Sequence, residues 1–415
     1  MIISQTKGKY IKDSNKGSSI ISTFVTGSIY VLGLYSLFFQ NWVRLPFLIP
    51  AAFIIMFLCT IIEEPCGVFF SLFKKSTYVF ALFVLLSLLI SVISFIETPR
   101  ELGTALTVLE YSMLMCTMIV HQIKCNKHDS IIYFYIICSL LYTIVLLFRP
   151  VSLGGNGRYT IAQSMNPNSI GIIISMGLWS ILYWYSIKRI NGVFVFLFCI
   201  LFFFAIYLTG SRKAFFVSLF TVIMWFICCY IPDFSRGISV SRLSLIFFIV
   251  SATVILALIF LRYIRGTVFW DRIMNSEREL ESGKRGQYYE FGLEIFRESP
   301  IFGQGFGVFA SRIGAYSHST FVEIPISCGI IGSMIYLYAH ICGIREIKND
   351  CVDRNMGINN QTMQRRMLYI LLCDCFLYMV SIIHVYQIDS YYMYALIFSG
   401  MLRDNGRTIN SEERL

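Results

Sequence analysis

The sequence predicts an all-α polytopic membrane protein of about 12 transmembrane helices, with a large, partly helical extracytoplasmic loop between helices 9 and 10. Three observations carry that expectation. Of 415 residues, 56% are apolar and only 14% charged, against roughly 45–50% and about 25% in soluble domains. Apolar stretches of about 20 residues recur, the length a helix needs to cross a bilayer. Those stretches are continuous and not alternating, which excludes a β-barrel. The same composition excludes a soluble enzyme, a disulfide scaffold and a disordered chain. The net charge of +10 is read first as a signal of orientation, not of nucleic-acid binding.

Taken along the chain, the spans are expected near 20–39, 45–62, 77–96, 103–121, 130–148, 168–187, 191–208, 214–231, 242–261, 319–341, 366–385 and 389–402. Ile20–Phe39 is span-length and no small-residue cleavage site follows it, so an uncleaved first helix is expected. With the N-terminus in the cytoplasm, 20 of the 34 Lys and Arg fall in inner segments and 14 in outer ones, 8 of these in the loop 262–318. Loops of that length cross largely regardless of charge. Set aside, they leave 20 inside against 6 outside, and both ends are placed in the cytoplasm. The expected organisation is a cytoplasmic N-terminus 1–19, helices 1–9 within 20–261, the outer loop 262–318, helices 10–12 within 319–402 and a tail 403–415. All 13 cysteines fall in spans or inner loops, so no external disulfide framework is expected. Cys373 and Cys375 flank Asp374, but residues two apart on a helix point to different faces, which argues against a metal site.

Chemistry in such a chain is sought where polar residues sit against the bilayer's preference. Three outer segments stand out. The first runs from Gly154 through Arg158 to Asn166-Pro167-Asn168. The second is the short turn Thr209-Gly210-Ser211-Arg212-Lys213 between two apolar helices. Arg suits phosphate there, because its planar fork donates two hydrogen bonds and stays charged. The third is the long loop. Its charges nearly balance, as on a solvated surface, but Gln287–Glu298 has helical apolar spacing, and Arg285 would stand at the helix start where anions are favoured. Gly303-Gln304-Gly305-Phe306-Gly307 follows no strand and reads as a flexible turn, not a nucleotide fold.

His318, in Ser317-His318-Ser319-Thr320, borders the large loop, where an imidazole can accept a proton near neutral pH. His384, near the outer end of the eleventh span, is the second choice. Glu110 and Asp374, placed inside the fourth and eleventh spans, are expected to be hydrogen-bonded in the bundle or to belong to a substrate path or proton relay.

In their order and spacing over 158–332 these residues resemble the O-antigen polymerase and ligase superfamily of bacterial surface-polysaccharide assembly. The resemblance rests on Arg158, on Asn166-Pro167-Asn168 heading a span, and on Leu208-Thr209-Gly210-Ser211-Arg212 at a helix–helix turn. Gly283-Lys284-Arg285 then heads the loop helix, followed by Pro300-Ile301-Phe302-Gly303-Gln304-Gly305-Phe306-Gly307, His318-Ser319, Glu323, Gly329 and Gly332. The family often has Asn after the histidine. Ser319 stands there in this chain and can still donate and accept hydrogen bonds.

The resemblance implies a bacterial inner-membrane enzyme that transfers glycosyl units outside the cytoplasm from an undecaprenyl-pyrophosphate-linked saccharide, with no cofactor and no metal. It implies His318, Arg212 and Arg285 as catalytic residues, and Arg158, Asn168, Ser211, Lys213, Ser319 and Glu323 as residues that bind pyrophosphate or saccharide. Membrane lipid and a chain-length regulator are the further partners implied; nucleic acid is not one. The Gly-Ser-Arg-Lys-Ala form of the turn resembles repeat-unit polymerases more than ligases. A lipid-linked oligosaccharide flippase is the reading from a different class. It is disfavoured because no internal repeat is visible and the polar residues singled out lie mostly in outer loops, not mid-span.

Overall fold

The computed structural model describes residues 23–39, 48–63, 73–94, 99–125, 129–152, 158–162, 165–187, 189–230, 262, 270, 284–349 and 358–399. The described residues are all-α but for one two-residue pairing. In chain order the helices are α1 (Thr23–Leu37), α2 (Leu48–Glu63), α3 (Lys75–Ser94), α4 (Pro99–Cys125) and α5 (Asp129–Phe148). The short strands β1 (Val151–Ser152) and β2 (Tyr159–Thr160) pair antiparallel, Val151 opposite Thr160. Then come α6 (Pro167–Ser186), α7 (Gly192–Thr209), α8 (Arg212–Trp225) with a π-helical extension Phe226–Tyr230, α9 (Lys284–Glu298) and α10 (Val308–Ile313). The described residues close with α11 (Thr320–Asn349), α12 (Ile358–Met379), a 3-10 turn His384–Tyr386 and α13 (Ile388–Ser399).

Seven helices among the described residues are long and apolar enough to cross a membrane. Two expected spans are moved. The tenth, expected to stop at 341, continues to Asn349. The eleventh, expected over 366–385, occupies Ile358–Met379, so His384 lies in the 3-10 turn beyond it. Hydropathy alone cannot see that the apolar residues after Met379 leave the helix. The ninth span, 242–261, and most of the loop before Lys284 lie outside the described residues.

The chain divides into two units, residues 1–134, 291–361 and 379–415 forming the first and 135–290 with 362–378 the second. In the first unit, α3 packs along α11, while α4 receives α2 and α13. Every residue of α13 is buried, Asp389, Ser390 and Ser399 included. Its Tyr391, Tyr394 and Phe398 surround Phe80, and Tyr394 hydroxyl meets Tyr336 hydroxyl at 2.6 Å.

The main irregularity of this unit is a break in α11. Gly329 has φ 63 and ψ −166, which interrupts the helix four residues after Pro325. The break frees carbonyls before it and amides after it, and an unsatisfied backbone group in hydrocarbon costs several kcal/mol. The segment Pro300–Gly305 supplies the missing partners. Gln304 and Gly305 donate to the Ile326 and Ser327 carbonyls at 3.0 and 2.8 Å, and Ile330 and Ile331 donate to Pro300 and Ile301 at 2.9 and 3.3 Å. The approach is close enough that a Cβ on Gly303 would collide with the Ser327–Gly329 backbone, and one on Gly329 with the Ile301 carbonyl. The expected flexible turn is instead a packed backbone seam. Gln304 fastens its outer edge, donating to the Ile295 carbonyl at 2.8 Å and to Glu298 at 3.0 Å, while Arg312 binds both Glu298 oxygens at 2.7 and 2.6 Å.

In the second unit α6 is the central helix and packs on α7 and α8. Gly171 lets the start of α8 approach, since a Cβ there would stand 2.9 Å from Ser211 Cβ and 2.8 Å from Ala214 Cβ. Trp179 Nε1 donates to the Met367 carbonyl at 2.9 Å and fixes α12 to α6.

Gly303→Ala and Gly329→Ala should each cost at least ~2 kcal/mol, combining overpacking with a left-handed backbone. Gly314 shares the positive φ, at 75, but has open space around it; Gly314→Ala should cost only about 1–2 kcal/mol. Thermal unfolding of purified protein in detergent would rank the three. A second expectation concerns Glu298, whose carboxyl is held below the usual carboxylate range by the Arg312 and then the Gln304 hydrogen bonds. A depressed value gives stability that is present above the ordinary carboxylate pKa, about 4.3, and is lost as pH falls through the folded value. The pair is exposed, so the effect is small. Arg312→Ala should therefore lower the melting temperature slightly at pH 7, and the difference should shrink as pH falls below about 4.3 and disappear once the folded-state carboxyl is protonated.

Candidate active site

The α7–α8 corner is built from local capping rules. Gly210 ends α7 in the left-handed conformation, φ 62, as helix C-termini favour. Ser211 opens α8, its Oγ accepting from Ala214 N at 3.5 Å. Thr209 Oγ1 joins the two caps, donating to the Ile206 carbonyl at 2.7 Å and accepting from Ser211 N at 3.2 Å.

Arg158 lies across this corner. Its Nε donates to the Thr209 carbonyl at 3.2 Å and its Nη2 to Asn168 Oδ1 at 3.0 Å. A Cβ at Gly210 would stand 3.0 Å from Arg158 Cγ, so the glycine also makes room for the arginine. Asn166 caps α6 through its Oδ1, which accepts from Asn168 N at 2.9 Å, and Pro167 sits in the first helical turn. Arg158, Asn168, Ser211, Arg212 and Lys213 are thereby brought together within the second unit.

The helix dipole does not favour the charges of this corner. The first turn of α8 carries Arg212 and Lys213 and no acidic residue, although the positive end of a helix favours anions and disfavours cations. Arg158 adds a further charge beside it. Such an arrangement suits binding of an anion. Arg285 is the second residue of α9.

The first unit holds His318, Ser319 and Glu323. His318 is exposed and has φ 59, the one described non-glycine residue with positive φ. Side chains seldom occupy that region, and residues there concentrate at functional sites. Its neighbours are buried and tied down. Ser317 Oγ donates to Glu323 Oε2 at 2.6 Å, and the Ser319 carbonyl accepts from Glu323 N at 3.0 Å. Glu323 is fully buried, and its Oε1 accepts from Tyr386 hydroxyl at 3.1 Å. That hydroxyl in turn accepts from Gly307 N at 3.0 Å. Glu323 is thus placed to hold the His318 turn, not to meet a saccharide in solvent. Thr320 secures the other side, its N–H reaching the Ile382 carbonyl at 3.0 Å and its Oγ1 accepting from His384 N at 2.9 Å.

Tyr386 and Ser317 carry no sequence signal, since a tyrosine between Val385 and Gln387 gives no sign of a partner 63 residues away. His384 is buried in the 3-10 turn, its Nδ1 3.2 Å from Tyr394 hydroxyl. Glu110 is half-buried, and Asp374 is buried and accepts from Thr221 Oγ1 at 2.9 Å. Cys373 is exposed and Cys375 buried, on different faces of α12. Among the described residues no group of three His, Cys, Asp or Glu side chains is placed to hold a metal ion.

Residues 197–337, about a third of the chain, match the family model described as O-antigen ligase. The match supports the O-antigen polymerase and ligase superfamily. The matched segment begins within α7 and ends within α11, so it contains Arg212, Arg285, His318, Ser319, Glu323 and the Gly329 break. Arg158 and Asn168 lie outside it. No curated protein matches the sequence. A solved chain from a peptidoglycan synthase complex that coordinates polymerization and crosslinking aligns over 78% of this chain and 98% of its own, with 12% identity and a TM-score of 0.42. At that score the likeness bears on neither fold nor activity.

Tyr386→Phe should leave Glu323 with one hydroxyl partner and lower thermal stability by about 1–3 kcal/mol. Its effect on Ser317 is readable separately. Hydrogen exchange at residues 315–320 should quicken, while exchange in α6 stays unchanged.

Proposed function

We propose that the chain is an inverting glycosyltransferase of the bacterial inner membrane, polymerising undecaprenyl-pyrophosphate-linked repeat units into O-antigen, capsule or exopolysaccharide on the outer face. The observation that carries this reading is the acid-free cationic first turn of α8, with Arg158 across it, inside or bordering the segment that matches the O-antigen ligase family. In the proposed step an acceptor hydroxyl attacks the anomeric carbon of the donor. A new glycosidic bond forms while the bond to the pyrophosphate oxygen breaks, and the electron pair leaves with the pyrophosphate. The acceptor proton passes to the His318 imidazole, a general base. Arg212, Arg285 and Arg158 stabilise the charge that grows on the leaving group, with Asn168 and Lys213 binding donor or acceptor and the buried Ser211 and Ser319 holding the backbone beside Arg212 and His318. No metal and no cofactor enters the step. A chain-length regulator is a proposed partner.

Ligation of the polymer to lipid A–core is the second reading, favoured by the description of the matching family. The two differ only in acceptor. Transport of the lipid-linked saccharide would use a broken helix whose open backbone groups coordinate cargo. The break in α11, which the sequence reading did not anticipate, is filled by the chain's own amides and carbonyls, and that speaks for an enzyme.

Purified protein supplied with lipid-linked repeats should extend them into a ladder on a gel. Transfer to lipid A–core with no extension would make the chain a ligase. His318→Ala should lower turnover about 10²–10⁴-fold. Arg212→Lys should lose about 10²–10³-fold despite its retained charge, because Lys lacks the two-pronged donor set. Lys213→Ala should be much milder. Full-length polymer from Arg212→Lys would rule out bidentate phosphate binding there. The proposed orientation is checked in intact cells, where a cysteine introduced at Ser282 should be labelled from outside and native Cys351 should not.

A further inference from the structure

Two residues before His318 stands Tyr316, in the irregular segment between α10 and α11. Burial alternates along this segment. Tyr316 is exposed, with 47% of its surface accessible, and so is His318, whereas Ser317 and Ser319 are buried. Two residues of chain span at most about 7 Å, so the two exposed rings rise from one small stretch of surface.

Tyr316 is braced from behind. Its ring lies against that of Tyr386, 6.1 Å between centroids and tilted at 57°, and Tyr386 meets Phe306 edge-on at 5.8 Å. The Tyr386 hydroxyl is held by Glu323 and by Gly307 N. The contacts that fix the His318 turn therefore also fix the backing of the Tyr316 ring. A ring supported on one side and open on the other offers a flat contact area at little cost in side-chain entropy.

The chemistry of such a face suits a sugar. A pyranose has an apolar C–H face and a rim of hydroxyls, and the negative face of an aromatic ring attracts partly positive C–H groups. Lipid is the competing occupant, since tyrosines gather at membrane interfaces. Within Gly314–Thr320, however, Tyr316 stands alone among small and polar residues, whereas an acyl chain is received by a continuous apolar face.

We propose that Tyr316 is the platform on which the acceptor sugar stacks, bringing its attacking hydroxyl within reach of the His318 imidazole. This rests on the glycosyl-transfer reading given above and adds to it the residue that seats the acceptor.

Full-length protein in detergent would be given lipid-linked donor at fixed concentration and increasing amounts of repeat oligosaccharide freed from its lipid, or of lipid A–core, as acceptor. Tyr316→Ala should raise the acceptor KM about tenfold while kcat changes less than about threefold, the pattern of lost uniform binding. Tyr316→Phe, which keeps the ring, should stay within about twofold of wild type. An unchanged acceptor KM in Tyr316→Ala, or equal losses in the Ala and Phe variants, would overturn the platform and leave the glycosyl-transfer reading standing. A wild type that transfers to neither acceptor would overturn that reading, and the platform with it. Should Tyr316→Ala fail to fold, fluorine NMR of protein carrying 3-fluorotyrosine in place of Tyr316 decides. Its resonance should shift saturably with the acceptor saccharide; a resonance that responds to phosphatidylglycerol and not to saccharide would assign the ring to the membrane and refute the proposal.

Discussion

The break in α11 at Gly329 is the constraint on which the first unit depends. A helix interrupted within a span leaves backbone donors and acceptors with no water to take them. Pro300–Gly305 supplies four such partners, and it can approach only because Gly303 and Gly329 lack side chains. Once that segment is fixed, Phe306 N reaches Ser91 Oγ at 2.9 Å and Gly307 N reaches Tyr386 hydroxyl. Tyr386 then orients Glu323, and Glu323 holds Ser317 beside His318. The left-handed turn that leaves His318 exposed between two buried serines is the far end of this chain of contacts.

The second unit follows a different principle. Its corner is locally well formed, with a glycine C-cap, a serine N-cap and a threonine that joins them. Its charges run against the helix dipole. Cations at a helix N-terminus cost a few tenths to about 1 kcal/mol, and this helix start has them with no acid in its first turn. That combination is expected where a protein keeps a rigid corner for an anionic ligand.

Much of this was legible in the sequence for definable reasons. Span-length apolar runs locate most helices, because length and hydropathy are set by the bilayer. The Thr209–Arg212 corner could be read from Gly and Ser at cap positions, and the start of α9 beside Arg285 from apolar periodicity. The glycine run Gly303–Gly307 was misread as flexible, since its partners lie about 25 residues ahead and are backbone groups, which carry no residue signature. His384 was misplaced because a 3-10 turn and a helix end share the same hydropathy. Tyr386 was invisible for want of local pattern.

Residue-resolved hydrogen exchange on the native protein tests the dependence of the His318 turn on the α11 break most directly. Amides of Gln304, Gly305, Ile330 and Ile331 should exchange through one shared opening, with protection comparable to the α11 helix on either side of Gly329. Loop-like exchange of Gln304 and Gly305 within seconds, while Ile330 and Ile331 stay protected, would show that the segment does not complete the helix and would contradict the account.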